Sequence, residues 1–349
     1  MTAFSAFRLP HEDCYTLVEQ TEGTPAEFLS CTELNGRTGF VVAPFQITSS
    51  QPVLLIRPDR VEQVPLTLPQ SVTGIENRRD ERARMYYAVD FANFHSQLEL
   101  GTFQKIVLAR CADEETLELT DPMQLFLRAC QCYPRMFIAL VYTERSGWWL
   151  TATPEILLEG NGSEWRTIAL AGTMKLEGEQ LDGEGEALTW SVKNIQEQRI
   201  VTTYITECLE RFTSDFHEEG PRTVRAANLV HLRSDFTFSL PDSSHIGDLL
   251  HALHPTPAVC GLPKQETFRF IVSNEHTPRR YYSGFMGMLG GVDDTHLYVS
   301  LRCMNIEGNH YHLYAGGGLL KDSTEQQEWQ ETEAKLETMR RLLNCEIVK

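Results

Sequence analysis

The stretch HLYAGGGLLKDSTEQQEWQETEAKL, near the end of the chain, constrains the fold most. Its first part reads as a strand that runs into Gly316, Gly317 and Gly318, and its second part as an acid-rich helix. A glycine run lets the main chain approach a ligand closely and offer its N–H groups to an anion. On the helix, Glu328 and Glu331 fall one turn apart, with Lys335 four residues further on, so all three share a face. Two carboxylates beside such a strand suit a hard, oxygen-seeking cation. Alone, the segment would equally fit a solvated helix behind a flexible loop, so the rest of the chain has to decide.

The 349 residues suit two domains or one large α/β unit, and 42% hydrophobic content supplies a sizeable core. A formal net charge of -17 argues against a nucleic-acid surface and against a polybasic membrane anchor. If the ligand is an anion, attraction must then be local, from a metal and a few basic side chains. The nine cysteines show no CxxC pair and no Cys/His metal spacing, which is expected of free thiols in a reducing cytoplasm. The N-terminus carries no apolar secretion core, and no apolar run reaches the ~20 residues of a membrane helix. A cytoplasmic protein, with neither membrane nor nucleic acid as partner, is the expectation.

Strand signals come in neighbouring pairs rather than alternating with helices, which favours an α+β fold with large antiparallel sheets and flanking helices. Short β-branched runs (GFVVAPF, PVLLIRP) mark a strand-rich region over residues 1–75. A helix is expected over 77–100, then a strand in QKIVLARCADEE and a helix around 122–132. A strand pair follows over 136–160, then a strand in WRTIALAGTMK and an acidic loop, GEQLDGEGEA. A long helix over 186–214, a strand over 231–240 and a helix over 245–253 come next. PTPAVCGLP reads as a loop, ahead of strand pairs around 281–289 and 296–315 and the final helix. No convincing linker divides the chain, so one domain is expected over 1–349.

Four further clusters could carry chemistry. Lys105 lies inside the strand signal FQKIVLAR; in a closed site it would serve as a general base, and elsewhere it is a solvent-face residue. Glu155 in TPEILL precedes three apolar residues, a setting that raises a carboxyl pKa and suits a general acid. In KNIQEQ, Asn194 and Glu197 repeat the i, i+3 spacing of Glu328 and Glu331, so two helices could grip one Mg²⁺. Finally, LHPTPAVCGLP and RRYYSGFMGML bring His254 and Tyr282, which could shape a pocket around a carboxylate-bearing ring.

The ordered set KIVLAR, TPEILL, ALAGTMK, KNIQEQ, LHPTPAVCGLP, RRYYSGFMGML, SLRCMN, LYAGGGLL and EWQETEAK resembles the chorismate-utilising enzymes. These include isochorismate synthase, salicylate synthase, anthranilate synthase component I and aminodeoxychorismate synthase. The motif-bearing core covers residues 85–342, and residues 1–84 match weakly. The resemblance implies an antiparallel α/β sandwich, Mg²⁺ as cofactor and chorismate as substrate. It puts Lys105 at the base that activates water and Glu155 at the acid for the leaving hydroxyl. Glu197 and Glu331 fall at the metal carboxylates, with Glu328 supporting through water. Arg302, Tyr282 and the amides of Gly316 and Gly317 fall at the substrate carboxylates; Gly172, Thr173 and Lys335 line the site, and His254 falls near the ring.

Two positions depart from the family: Asn194 stands where an acid is common, and Gln198 where a histidine often follows the metal glutamate. Members that use ammonia typically lack the lysine seen at Lys105, and aminodeoxychorismate synthases typically have a nucleophilic lysine where this chain has Ala171. No amidotransferase segment is present, and no amidotransferase subunit is expected. Water as nucleophile therefore points to an isochorismate synthase, whose product would feed menaquinone or siderophore biosynthesis. The alternatives are a salicylate synthase, which goes on to eliminate pyruvate, and a non-catalytic chorismate-binding subunit.

Overall fold

The computed structural model describes residues 3–67, 81–175, 189–226, 229–240, 243–290 and 294–344. The first ten strands are β1 (Ala3–Arg8), β2 (Cys14–Gln20), β3 (Ala26–Phe28), β4 (Gly39–Ala43), β5 (Val53–Ile56), β6 (Arg60–Pro65), β7 (Lys105–Glu115), β8 (Phe137–Thr143), β9 (Gly147–Thr153) and β10 (Ile156–Asn161). Then come β11 (Glu164–Lys175), β12 (Phe216–Ala226), β13 (Leu229–Ser239), β14 (Gly261–Leu262), β15 (Phe285–Leu289), β16 (Thr295–Val299), β17 (Cys303–Glu307) and β18 (His310–Leu319). The helices are α1 (Glu81–Glu99), α2 (Pro122–Cys132), α3 (Val192–Leu209), α4 (Ile246–Leu253), α5 (Lys264–Asn274) and α6 (Glu325–Leu343).

The strands form two nine-stranded sheets, ordered β14-β7-β18-β17-β9-β8-β1-β2-β6 and β12-β13-β11-β10-β16-β15-β4-β5-β3. Every pairing among the described residues is antiparallel, for instance β7 with β18 and β11 with β13. The α+β expectation therefore holds. The sheets face one another across an apolar layer that includes Phe7, Phe40, Phe137, Trp149, Met286 and Tyr298. Helices α2 and α6 cover the outer face of the first sheet, through Leu125, Phe126, Leu336 and Met339. Helices α3 and α4 cover the second, through Val201, Ile205, Leu249 and Leu250. This is a sandwich with helices outside, built from strands whose two faces are both buried.

Two crossovers set up the centre of the molecule. The chain leaves β9 in the first sheet, passes Pro154 and Glu155, and enters β10 in the second. It returns from β16 to β17 through Ser300, Leu301 and Arg302. The two crossings are tied together: Val299 N donates to Glu155 O at 2.9 Å and Ala152 N to Arg302 O at 3.1 Å. Glu155 and Arg302 are thus fixed side by side in the seam between the sheets.

The structure revises six expectations. Two are the later strand pairs: the one around 281–289 is β15 alone, and the one around 296–315 is β16, β17 and β18. The strand pair over 136–160 is three strands shared between the sheets, and the helix over 186–214 is confined, within the described residues, to Val192–Leu209. Strand β12 and helix α5 were not expected. The acidic loop GEQLDGEGEA and residues 77–80 lie outside the described residues.

Candidate active site

The site is built where β7, β18, β11, α3 and α6 meet the two crossovers. A single void of about 580 Å³, mouth included, lies among Glu155, Gly172, Thr173, Glu197, Tyr282, Arg302, Gly316 and Lys335, joined by His231.

Gly172 organises one wall. The register of β11 against β13 shifts between Ala171 and Thr173, and Gly172 is the bulged residue, with φ +67°. A residue with a side chain would be strained there, and a Cβ would press on Asn194 at 3.1 Å. The bulge frees its peptide groups from the ladder. Gly172 N donates to Glu197 Oε2 at 3.1 Å, and Gly172 O accepts from His231 Nδ1 at 3.0 Å. Gln198, one residue on from Glu197 in α3, clamps the same bulge. Its Oε1 accepts from Ala171 N at 2.9 Å, and its Nε2 donates to Ala169 O at 3.1 Å and Ser234 Oγ at 3.3 Å. The glutamine that departs from the family pattern is therefore a buried staple between helix and sheet. Gln198→Ala should cost about 1–3 kcal/mol by leaving these groups unpaired, read as a lowered Tm.

The glycine run forms the opposite wall, and each glycine admits a different partner. A Cβ on Gly316 would lie 2.6 Å from the Tyr282 hydroxyl oxygen. One on Gly317 would meet Glu328 Oε2 at 3.1 Å and Glu331 Oε1 at 3.5 Å, and one on Gly318 would fall 2.1 Å from Glu197 Oε1 and 2.8 Å from Lys105 Cε. These obstacles at Gly318 are side-chain atoms, so the fold can absorb the methyl only by moving Glu197 and Lys105. Gly318→Ala should leave Tm within a few degrees and cut turnover at least tenfold, a split that steady-state kinetics and thermal unfolding resolve together.

Lys105 is fully buried and does not itself line the void; its Nζ lies 2.9 Å from Oε1 of Glu197, which does. Burial alone would push the Glu197 carboxyl up; Lys105, with Lys193 and Lys335 behind it, outweighs burial and holds it below its ordinary value. Glu155 experiences the opposite balance. Its carboxyl is wholly desolvated, and Lys105, Arg302 and Lys335 only partly offset this, leaving it pushed up to about 8. Below that pH it is an uncharged acid, a proton donor in waiting.

Arg302 takes a left-handed backbone, φ +38°, unusual for a residue with a side chain and the kind of strain that clusters at functional sites. Its NH2 donates to His231 Nε2 at 2.7 Å, while NH1 is buried without a hydrogen-bond partner. Burial brings the guanidinium down to about 10, so it stays charged at neutral pH and has one donor group left for an anion. A guanidinium cannot accept, so His231 Nε2 must, and Nδ1 carries the proton toward Gly172 O. Burial, then Arg302 and Lys335, pull the pKa of this imidazole well below its usual value, and it stays neutral.

Helix α6 supplies the remaining charges. Lys193 pairs with Glu328 Oε1, and Lys335 donates to Glu331 Oε1 at 2.7 Å and to Gly316 O at 2.9 Å. Burial, and then Glu331 beside it, push the Glu328 carboxyl up, and Glu328 Oε2 is buried with no hydrogen-bond partner. A divalent cation would relieve both penalties, so the donor set fits a hard ion. The three carboxylates Glu197, Glu328 and Glu331 do not close to within 4.8 Å of one another as a set; each is engaged by a lysine instead. Among the residues that line the void, Arg302 and Lys335 outnumber Glu197 while Glu155 is protonated. The cavity is cationic inside a chain of net charge -17.

Two expected contacts are corrected. His254 lies outside the cavity: its Nε2 bonds Pro44 O at 3.1 Å and its ring packs edge-on against Phe285. The imidazole at the site is His231, on β13 directly opposite Thr173. Gly317 does not line the cavity either. Gly316 O accepts from Lys335, so the polar edge of Gly316 faces away from β7, and the alternation of a strand turns that of Gly317 into the β7 ladder. Gly316 and Gly318 line the void.

Comparison with known proteins places the chain in a family. A family model for chorismate binding enzymes matches residues 59–344. The chain belongs to the chorismate binding enzyme family. The salicylate biosynthesis isochorismate synthase of Pseudomonas aeruginosa is 32% identical, over 80% of this chain and 58% of that protein. Isochorismate synthase EntC of Escherichia coli (strain K12) is 31% identical over 67% of this chain and 61% of its own. The matched region thus spans about three fifths of these relatives. A solved structure of a putative 2,3-dihydroxybenzoate-specific isochorismate synthase, DhbC from Bacillus anthracis, shares the fold. Its TM-score is 0.83 at 23% identity, over 99% of this chain and 96% of that one. Among the described residues, no helix is long and apolar enough to cross a membrane.

Proposed function

We propose that this protein is an isochorismate synthase, converting chorismate to isochorismate by attack of water at C2 with loss of the C4 hydroxyl. The observation that carries this is a buried carboxyl, Glu155, in the same cavity as Arg302 and as Glu197, behind which Lys105 is paired. Arg302, through its unpartnered NH1, and Gly316 N–H bind substrate carboxylate, while Tyr282 and Thr173 shape the pocket around the ring. Lys105 first gives its ammonium proton to the Glu197 carboxylate beside it, and the neutral amine then takes a proton from the attacking water. Glu155 gives its proton to the departing hydroxyl as the double bonds shift. Reactant and product are isomers, so the reaction is reversible. Glu197 and Glu331, with Glu328 in support, would hold a Mg²⁺, which would neutralise the ring carboxylate and draw electron density toward it.

Ala171 leaves no nucleophilic lysine at that position, which supports water rather than an amine as the attacking group. Incubation with chorismate and Mg²⁺, with products separated by chromatography, tests the proposal. Isochorismate approaching a fixed ratio to chorismate, and absent after EDTA, is the expected result. Salicylate with pyruvate would replace the proposal by a salicylate synthase, and binding without turnover by a chorismate-binding subunit.

A further inference from the structure

Toward the outer end of the β7–β18 pair, beyond the cavity-lining Ala315 and Gly316, Cys111, Asp113 and His312 converge. Cys111 and Asp113 alternate on one face of β7, and His312 lies directly opposite Asp113 on β18. One ligand atom from each lies within 4.8 Å of the other two. Asp113 Oδ1 is 3.8 Å from Cys111 Sγ and 2.6 Å from His312 Nδ1. Tetrahedral zinc, with its usual bond lengths, places sulfur and oxygen about 3.5 Å apart and nitrogen and oxygen about 3.3 Å apart. The two separations from Asp113 lie on either side of these values.

A second carboxylate backs the histidine. Glu307 Oε2 lies 3.9 Å from His312 Nε2, on the ring nitrogen that a metal at Nδ1 would leave protonated. A carboxylate behind a metal-bound imidazole fixes its ring and tautomer. The side chain of Asp113 is 72% exposed, which leaves an entry path and room for water as fourth ligand. None of these residues takes part in the chemistry proposed for the cavity, although Cys111 stands only two positions along β7 from Ala109, the partner of cavity-lining Gly316.

We infer that Cys111, Asp113 and His312 form a binding site for one Zn²⁺, which staples the outer end of the two strands that carry Lys105 and the glycine run. The thiolate favours zinc over the hard ion suited to the carboxylates. On binding, the metal takes the place of the thiol and imidazole protons that now reach toward Asp113.

The test uses the full chain, stripped of metal and titrated with Zn²⁺ in excess Mg²⁺, which saturates hard-ion sites. One equivalent bound and a Tm raised by several degrees are expected. Co²⁺ in its place should give a thiolate charge-transfer band in the near ultraviolet. Cys111→Ser and His312→Gln should each weaken Zn²⁺ at least tenfold and abolish the band, whereas Glu331→Gln should keep both. The inference is overturned if no equivalent binds, if the band survives Cys111→Ser, or if Glu331→Gln removes it.

Discussion

Lys105→Ala should lower kcat by roughly 10²–10⁴-fold, the usual contribution of a general base, with a much smaller effect on KM. As a base the lysine acts as its neutral amine and meets the substrate only through the proton it removes from water, so its loss is felt in the transition state rather than in binding. The substitution also strips Glu197 of its ion-pair partner at 2.9 Å and leaves only Gly172 N–H on that carboxylate. A buried charge without its counter-ion is destabilising, by up to about 3–5 kcal/mol. Thermal unfolding must therefore accompany the kinetics. Lys105→Met, which keeps most of the volume, gives the same kinetic loss if the lysine is the base. Near-normal kcat in either folded variant would remove Lys105 from the mechanism.

Glu155→Gln should be equally damaging, and it carries a pH signature that no packing defect would mimic. The carboxyl donates only while protonated, and burial has moved its pKa from 4.5 up to about 8. The wild-type kcat should therefore hold below pH 8 and fall as pH rises through it. Glutamine keeps shape and hydrogen bonding but has no proton to give, so a residual rate should lack that alkaline limb. Linkage gives the same sign for stability. A group whose folded pKa is raised adds stability that is complete below its ordinary value and is lost as pH rises through about 8. Glu155→Gln should flatten that part of the stability profile, followed by denaturant midpoints across the range. An unchanged alkaline limb in the variant would assign the ionisation to another group.

Much of this arrangement is legible from residue order alone. Lys105 sits in a strand and Glu197 in a helix, as their local patterns indicate. Failures occur where function depends on pairing partners distant in the chain. His231 is indistinguishable from any strand histidine until β13 is set against the bulge at Gly172, which puts its ring on Arg302. His254, beside two prolines, looked more eventful in sequence and proves to be a buried structural bond to Pro44 O. Strand β12, FHEEGPRTVRA, lies at a sheet edge with mostly exposed residues, so it shows no apolar alternation. Helix α5 opens directly after Pro263, and the proline-rich loop before it masked the start. The crossovers at Glu155 and Arg302 are likewise invisible locally, because nothing in a strand's composition tells which sheet it joins.

The central claim is that water, activated beside Lys105, attacks C2 while Glu155 expels the C4 hydroxyl. Turnover of chorismate in heavy-oxygen water tests it most directly, with early product analysed by mass spectrometry. The account predicts isochorismate carrying one heavy oxygen, at the C2 hydroxyl. Isochorismate formed without label would mean that the original hydroxyl migrates, and would contradict the roles given to both residues.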